Sequence, residues 1–332
     1  MAAAAVGCHC DLCRFFSLCG GCHGECSHAF CARPCSLCGV RCARRRDVSD
    51  WVWDAGGTLE LAVPVRWPGV PEDWPAVVPE VDGSRMAEYD AAAGWPAYAV
   101  GPAHAHVLTP GGTLAPAWRG RKAREKLGLP EGKKVILHLF GPDELLEGLW
   151  RNQHAARVWE GIASLGFDLV LGPNFSVYGE HPRFEHLLNM RRSLVAAARL
   201  AALGVPVAPH VYWWTRQDLA RWAGAIEAMG VPAVAVNAQT YRTKEDWDFL
   251  LAGLRYLGER LGDRVLFFVN GVSPARAVEV REVLPRVVFV SRAVQLRAQR
   301  GRTLDGAKGG APAPELFRRN LEQFLDFLQG TS

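Results

Sequence analysis

The chain has 332 residues, of which 49% are hydrophobic and 22% charged, and its formal net charge is +4. This is material for a sizeable core, and so small a charge does not by itself point to a polyanionic partner. The sequence lacks a run of about 18 apolar residues that could span a membrane, and MAAAAVG lacks the charged start and long apolar stretch of a secretory leader, so a cytoplasmic protein without a membrane partner is expected.

All ten cysteines come first, as Cys8, Cys10, Cys13, Cys19, Cys22, Cys26, Cys31, Cys35, Cys38 and Cys42. Their C-x2-C and C-x3-C steps let neighbouring thiolates reach one metal. Four thiolates close a tetrahedral zinc site or hold an iron–sulfur cluster. Zinc (about two ions, at four thiolates each) and [4Fe-4S] clusters both fit. His9, His23 and His28 are substitute ligands. A disulfide knot is the alternative, but it suits a small secreted domain better than the front of a large one. Cys31-x3-Cys35-x2-Cys38 matches the spacing of radical S-adenosylmethionine enzymes, although it stands ahead of any strand. The segment has few large apolar residues, so metal binding would supply its folding free energy.

Residues 47–75 are rich in Trp, Pro and Gly and read as a linker with one short strand, Leu59 to Val65. From residue 76 short apolar runs alternate with amphipathic stretches. The predicted strands are 76–81, 96–101, 134–140, 167–172, 205–213, 233–238, 265–270 and 286–291. Helical patterns cover 144–165, 183–203, 215–229, 244–261 and 274–284, and a further short helix should begin near Trp118. Pro314 to Leu328 forms a closing amphipathic helix. Eight strands alternating with helices predict a (β/α)8, TIM-like barrel over 76–330, preceded by a cysteine-rich metal-binding module over 1–46. A doubly wound sheet is the other arrangement, but no G-x-G-x-x-G turn follows a strand.

Active sites of such barrels form at the C-terminal strand ends. Glu80 and Asp82 end the first strand, and Asp143 with Glu144 follows the third, so either pair could supply a general acid or base. Asp143 and Glu144 are equally well placed to open a helix, where acids oppose the dipole. His210 reads both as a catalytic and as a buried structural histidine. Asn174, Tyr178, Trp213, Asn237, Asn270 and Arg292 are candidate substrate contacts, with Trp213 or Trp214 able to stack on a planar base and Arg292 able to hold an anion.

Around Pro173, Phe175, Ser176, Tyr178, Pro182, Asn189, Arg191, Gly204, Val205, Val207, Pro209 and Trp213 the chain resembles an uncharacterised family found in phages, plasmids and bacterial genomes. That family carries Pro-Asp-Phe-Ser followed by Gly-Ile-x-Val-x-Pro. Asn174 stands here where the family has aspartate. The resemblance spans about 171–214 and implies an α/β barrel and a mobile-element setting, with no activity attached.

Three functions follow from these readings. The first is a metal-containing barrel enzyme acting on a nucleotide, base or nucleic acid. The second is a non-enzymatic nucleic-acid-binding protein of a mobile element. The third is an iron–sulfur redox or radical enzyme.

Overall fold

The computed structural model describes residues 13–20, 40–41, 47–179 and 181–330. Most of the cysteine set (Cys8, Cys10, Cys22, Cys26, Cys31, Cys35, Cys38 and Cys42) lies outside these residues. Cys13 is half-buried, and Cys19, in the single turn α1 (Phe16–Cys19), is buried.

The eight expected strands are all present, each shorter than its apolar run: β1 (Val77–Pro79), β2 (Ala97–Val100), β3 (Lys134–His138), β4 (Leu169–Leu171), β5 (Val207–Ala208), β6 (Ala233–Asn237), β7 (Leu266–Asn270) and β8 (Val287–Ser291). They form two parallel four-stranded sheets, β1-β8-β7-β6 and β2-β3-β4-β5. Single parallel bridges join the sheet edges, Glu80 to Ala99 on one side and His210 to Ala235 on the other. Val81 N donates to Ala99 O and Val211 N to Ala235 O, both at 2.8 Å. Every strand therefore lies beside its neighbours in chain order, an arrangement that parallel strands reach only through crossover segments.

The helices are α2 (Val48–Asp54), α3 (Met86–Ala93), α4 (Ala123–Lys126), α5 (Asp143–Asn152), α6 (Val158–Ser164), α7 (Arg183–Ala202), α8 (Arg216–Met229), α9 (Lys244–Leu261), α10 (Pro274–Val283), α11 (Ala293–Gln299) and α12 (Ala313–Gln329). None in the described residues is long and apolar enough to cross a membrane. Two apolar clusters result. A large one lies between strands and helices, and a small one, including Val78, Ile136, Ala208, Ala235, Phe268 and Val290, lies on the other strand face.

Two expectations change, and one element is added. The helix expected over 144–165 breaks into α5 and α6. The break centres on buried Gln153, whose Oε1 accepts from Trp159 Nε1 at 3.0 Å and also from Arg199, and Arg157 turns into the left-handed region at φ 47°. The strand expected over Leu59 to Val65 does not form. Arginine side chains take its backbone acceptors instead: Arg191 reaches the carbonyls of Ala55, Glu60 and Ala62 at 2.7–2.9 Å, and Arg221 that of Leu59 at 2.7 Å. A backbone whose acceptors are met this way needs no strand partner. Residues 47–75 are thus packed against the domain, with Val48, Val52, Leu59, Leu61 and Trp67 in its core. This cover explains why α7 is buried almost all round although it carries Arg191 and Arg192. The stretch between β1 and β2, to which the sequence pattern assigns no element, holds α3, whose Tyr89 ring meets Phe317 of α12 at 4.5 Å.

Candidate active site

Successive strand residues alternate between faces. Moving two residues toward the C-terminal end from Val78, Ile136, Ala208, Ala235, Phe268 and Val290 gives Glu80, His138, His210, Asn237, Asn270 and Arg292. The inner face thus changes within one step from an apolar plug to a layer of polar groups. The same step leads from Ala99 to Gly101 and from Leu171 to Pro173, which have no polar side chain to add.

The layer is internally ordered. His138 Nδ1 lies 2.8 Å from Glu80 Oε2. His210 Nδ1 donates to the Gly172 carbonyl. A carboxylate and a carbonyl only accept, so both rings carry a proton on Nδ1, and in the neutral form each ring presents a lone pair at Nε2. The two rings sit 5.7 Å apart, and Phe140 stacks on His138 at 5.6 Å. Asn270 Nδ2 donates to Asn237 Oδ1 at 3.0 Å. His138 Nε2, His210 Nε2, Asn237 Nδ2 and Asn270 Oδ1 are buried with no protein hydrogen-bond partner. Each such atom costs about 1–3 kcal/mol when left unmet, so this layer holds hydrogen-bonding capacity that a polar ligand could meet.

Electrostatics separates their roles. Burial works against the Glu80 charge, but the His138 hydrogen bond and the charges of His138 and Arg292 outweigh it and hold Glu80 below the usual carboxylate range. Burial, then neighbouring His138, pushes His210 down to about 3, so it stays a neutral acceptor at Nε2. Burial and Arg292 also lower His104 at the rim.

The sequence-predicted residues divide into two groups. Glu80, His210, Asn237, Asn270 and Arg292 belong to the layer. Asp82 stands outside it and holds Arg292: Arg292 Nη2 lies 3.2 Å from Asp82 Oδ1 and Nη1 3.9 Å from Glu80 Oε1. Two carboxylates therefore already face the Arg292 charge. Asp143, Asn174, Tyr178 and Trp213 line a cavity of about 850 Å³ beside the layer, with Asn237 common to both. Asp143 opens α5 and accepts from Ser176 Oγ at 2.9 Å and Tyr178 Oη at 2.7 Å. Of the tryptophan pair, Trp213 is 2% exposed and Trp214 49% exposed, so Trp214 offers the open ring face.

Trp213 is seated on the backbone of α9, where a Cβ on Gly253 would come within 2.4 Å of its ring. Gly253→Ala should therefore cost about 2 kcal/mol by overpacking. Urea denaturation measures this, and a cost below about 0.5 kcal/mol would show that the indole can move.

His138 is the member of the layer that the sequence reading passed over. Its signal was parity: His138 follows Ile136 as Glu80 follows Val78. Among the described residues no group of three or more His, Cys, Asp or Glu is placed to hold a metal ion.

Residues 120–284 match a family model described as a domain of unknown function (DUF4417). The match carries His138, His210, Asn237 and Asn270 and leaves Glu80 and Arg292 outside it. No curated protein matches the chain. Among solved structures, one described as a fructose-1,6-biphosphate aldolase from Coccidioides immitis is 15% identical, with a TM-score of 0.45 over 77% of this chain and 90% of that one. A 4-hydroxy-2-oxoglutarate/2-deydro-3-deoxyphosphogluconate aldolase is 14% identical, with a TM-score of 0.41 over 75% of this chain and 94% of that one.

Proposed function

We propose that residues 76–330 act as one (β/α)8-like barrel enzyme that moves a proton at His138 Nε2. The supporting observation is the buried Glu80–His138 pair, 2.8 Å apart, whose outer ring nitrogen has no protein partner. In this reading His138 Nε2 takes a proton from the substrate and later returns it. The imidazolium formed in between is stabilised by the Glu80 carboxylate, which fixes the ring and its tautomer. His210 Nε2 accepts a substrate O–H or N–H, Asn237 Nδ2 donates to a substrate oxygen, and Asn270 Oδ1 accepts. Exclusion of bulk water strengthens each of these contacts.

The test is a small-molecule panel followed by proton NMR in D2O with wild-type protein and His138→Gln. Conversion or deuterium exchange that depends on His138 supports the reading, and equal rates in both proteins would sink it.

We also propose that the cysteine segment holds about two metal centres, zinc or [4Fe-4S], at four thiolates each. What supports this is the ligand spacing of the ten cysteines. Anaerobically purified protein should contain about 2 zinc per chain and be colourless, or be brown with iron and sulfide. Protein free of both metals, with its thiols in disulfides, would overturn it.

A further inference from the structure

The cavity beside the polar layer combines two features that a proton-transfer site does not require. Its walls carry the carboxylates Asp143, Glu144, Glu245 and Asp246, and the described lining residues include no Lys or Arg. Nearby Lys244 is turned to Asp248 at 2.6 Å. Aromatic rings complete the walls. Tyr178, Trp214 and Phe249 are 42%, 49% and 39% exposed, unusually open for large rings, and Trp214 meets Phe249 at 6.4 Å. The Trp214 ring rests on the backbone of Gly179, where a Cβ would come within 2.3 Å of it.

The cavity wall adds an independent sign of a ligand. Asn174 is 2% exposed, lines the cavity, and has an Oδ1 without a protein partner. An unmet acceptor among carboxylates and aromatic faces suits a positively charged N–H or N–CH3 group. Ring faces attract cations electrostatically, the carboxylates add long-range attraction, and a phosphate would face those carboxylates without a Lys or Arg among the described lining residues.

We propose that this cavity binds an organic ammonium ion, held over Trp214, Tyr178 and Phe249 and neutralised by Asp143. The inference rests on the proton-transfer reading only in that Asn237, shared by cavity and layer, would direct the far end of such a molecule toward His138. Binding of the cation itself does not depend on that chemistry. A nucleotide or nucleic acid is disfavoured here, because its phosphates need cationic partners.

Calorimetry on the full chain tests the proposal with choline and n-butylammonium, their uncharged counterparts 3,3-dimethyl-1-butanol and 1-butanol, and inorganic phosphate. At least one ammonium probe should bind about 10-fold or more tightly than its uncharged counterpart. Asp143→Asn and Trp214→Ala should each weaken it by about 5-fold or more, while His138→Gln should leave it unchanged. Equal affinity for charged and uncharged probes, no binding at millimolar concentration, phosphate as the preferred ligand, or binding untouched by both cavity variants would each overturn the proposal. Cation binding without any His138-dependent turnover counts against the proton-transfer reading alone. Turnover that depends on His138 with no preference for cations counts against this inference alone.

Discussion

His138→Gln should lower turnover by about 10²–10⁴-fold, the usual contribution of a positioned acid–base group. Glutamine fills similar space and can still hydrogen-bond to Glu80, so unfolding in urea should change little. A loss confined to kcat would identify the proton carrier. Glu80→Gln separates positioning from charge. The amide can still accept from Nδ1, but the imidazolium formed during reaction then lacks its counter-charge. That variant should lose about 10²-fold or more in kcat. Because Glu80 is held below the usual carboxylate range, its charge persists into mild acid. Protonation of Glu80 should therefore cause no loss of rate from neutrality down through the usual carboxylate range and contribute one only below it. The same direction applies to stability: the Glu80 contribution is present above its unfolded pKa and is lost as pH falls through the lower folded value. If His138→Gln matches wild type against every substrate found, the layer is a structural polar plug and not a reacting centre.

The strands were legible because buried parallel strands read as short runs of Val, Ile, Leu and Phe closed by Gly, Pro or Asn. The residues of the polar layer that ended those runs were legible for the same reason. Glu80, Asn237, Asn270 and Arg292 each sit where a hydrophobic run stops. His138 does not, since Leu139 and Phe140 continue its run past the strand's last residue. Its inward direction follows from its parity with Ile136 and not from the end of the run, in line with the register that sets Leu137 beside Val170 and His138 beside Leu171. Trp213 and Trp214 were undecidable for a related reason. β5 ends at Ala208, and although the bridge of His210 to Ala235 extends its pattern by two residues, alternation cannot be carried on through the irregular chain to 213 and 214. The segment over 59–65 has strand composition, but whether it pairs depended on Arg191 and Arg221, more than a hundred residues away. Local pattern carries no information about such partners.

Asp218→Ala should destabilise the fold by about 4 kcal/mol, because it strips a buried ion pair of one partner. The Asp218 side chain is fully buried at the start of α8. It accepts both terminal nitrogens of Arg183 and the backbone N–H groups of Trp214 and Thr215 at 3.1 and 3.0 Å, and it completes a capping box with Thr215. Removal leaves the nearly buried guanidinium of Arg183 and two backbone donors unmet. Asp218→Asn keeps one acceptor and loses the charge, so it should cost about half as much. Replacing both partners, Asp218→Leu with Arg183→Met, should recover part of the loss, since neither charge is then stranded. The pH dependence has a defined sign. Burial opposes the Asp218 charge, yet the Arg183 bonds and the two backbone donors hold its pKa below the usual range. Its stabilisation is therefore present above the unfolded value and disappears as pH falls below it. His210 acts in the same direction over a higher window, neutral in the fold down to about 3 against 6.5 when unfolded. Wild-type stability should thus begin to fall below about pH 6.5, and in Asp218→Ala the steeper fall at lower pH should be reduced. Because Asp218 also fixes the backbone of Trp214, its loss should weaken ammonium binding in protein that remains folded. An Asp218→Ala cost under about 1 kcal/mol would mean that the pair is solvated and that Trp214 is held in place by other contacts.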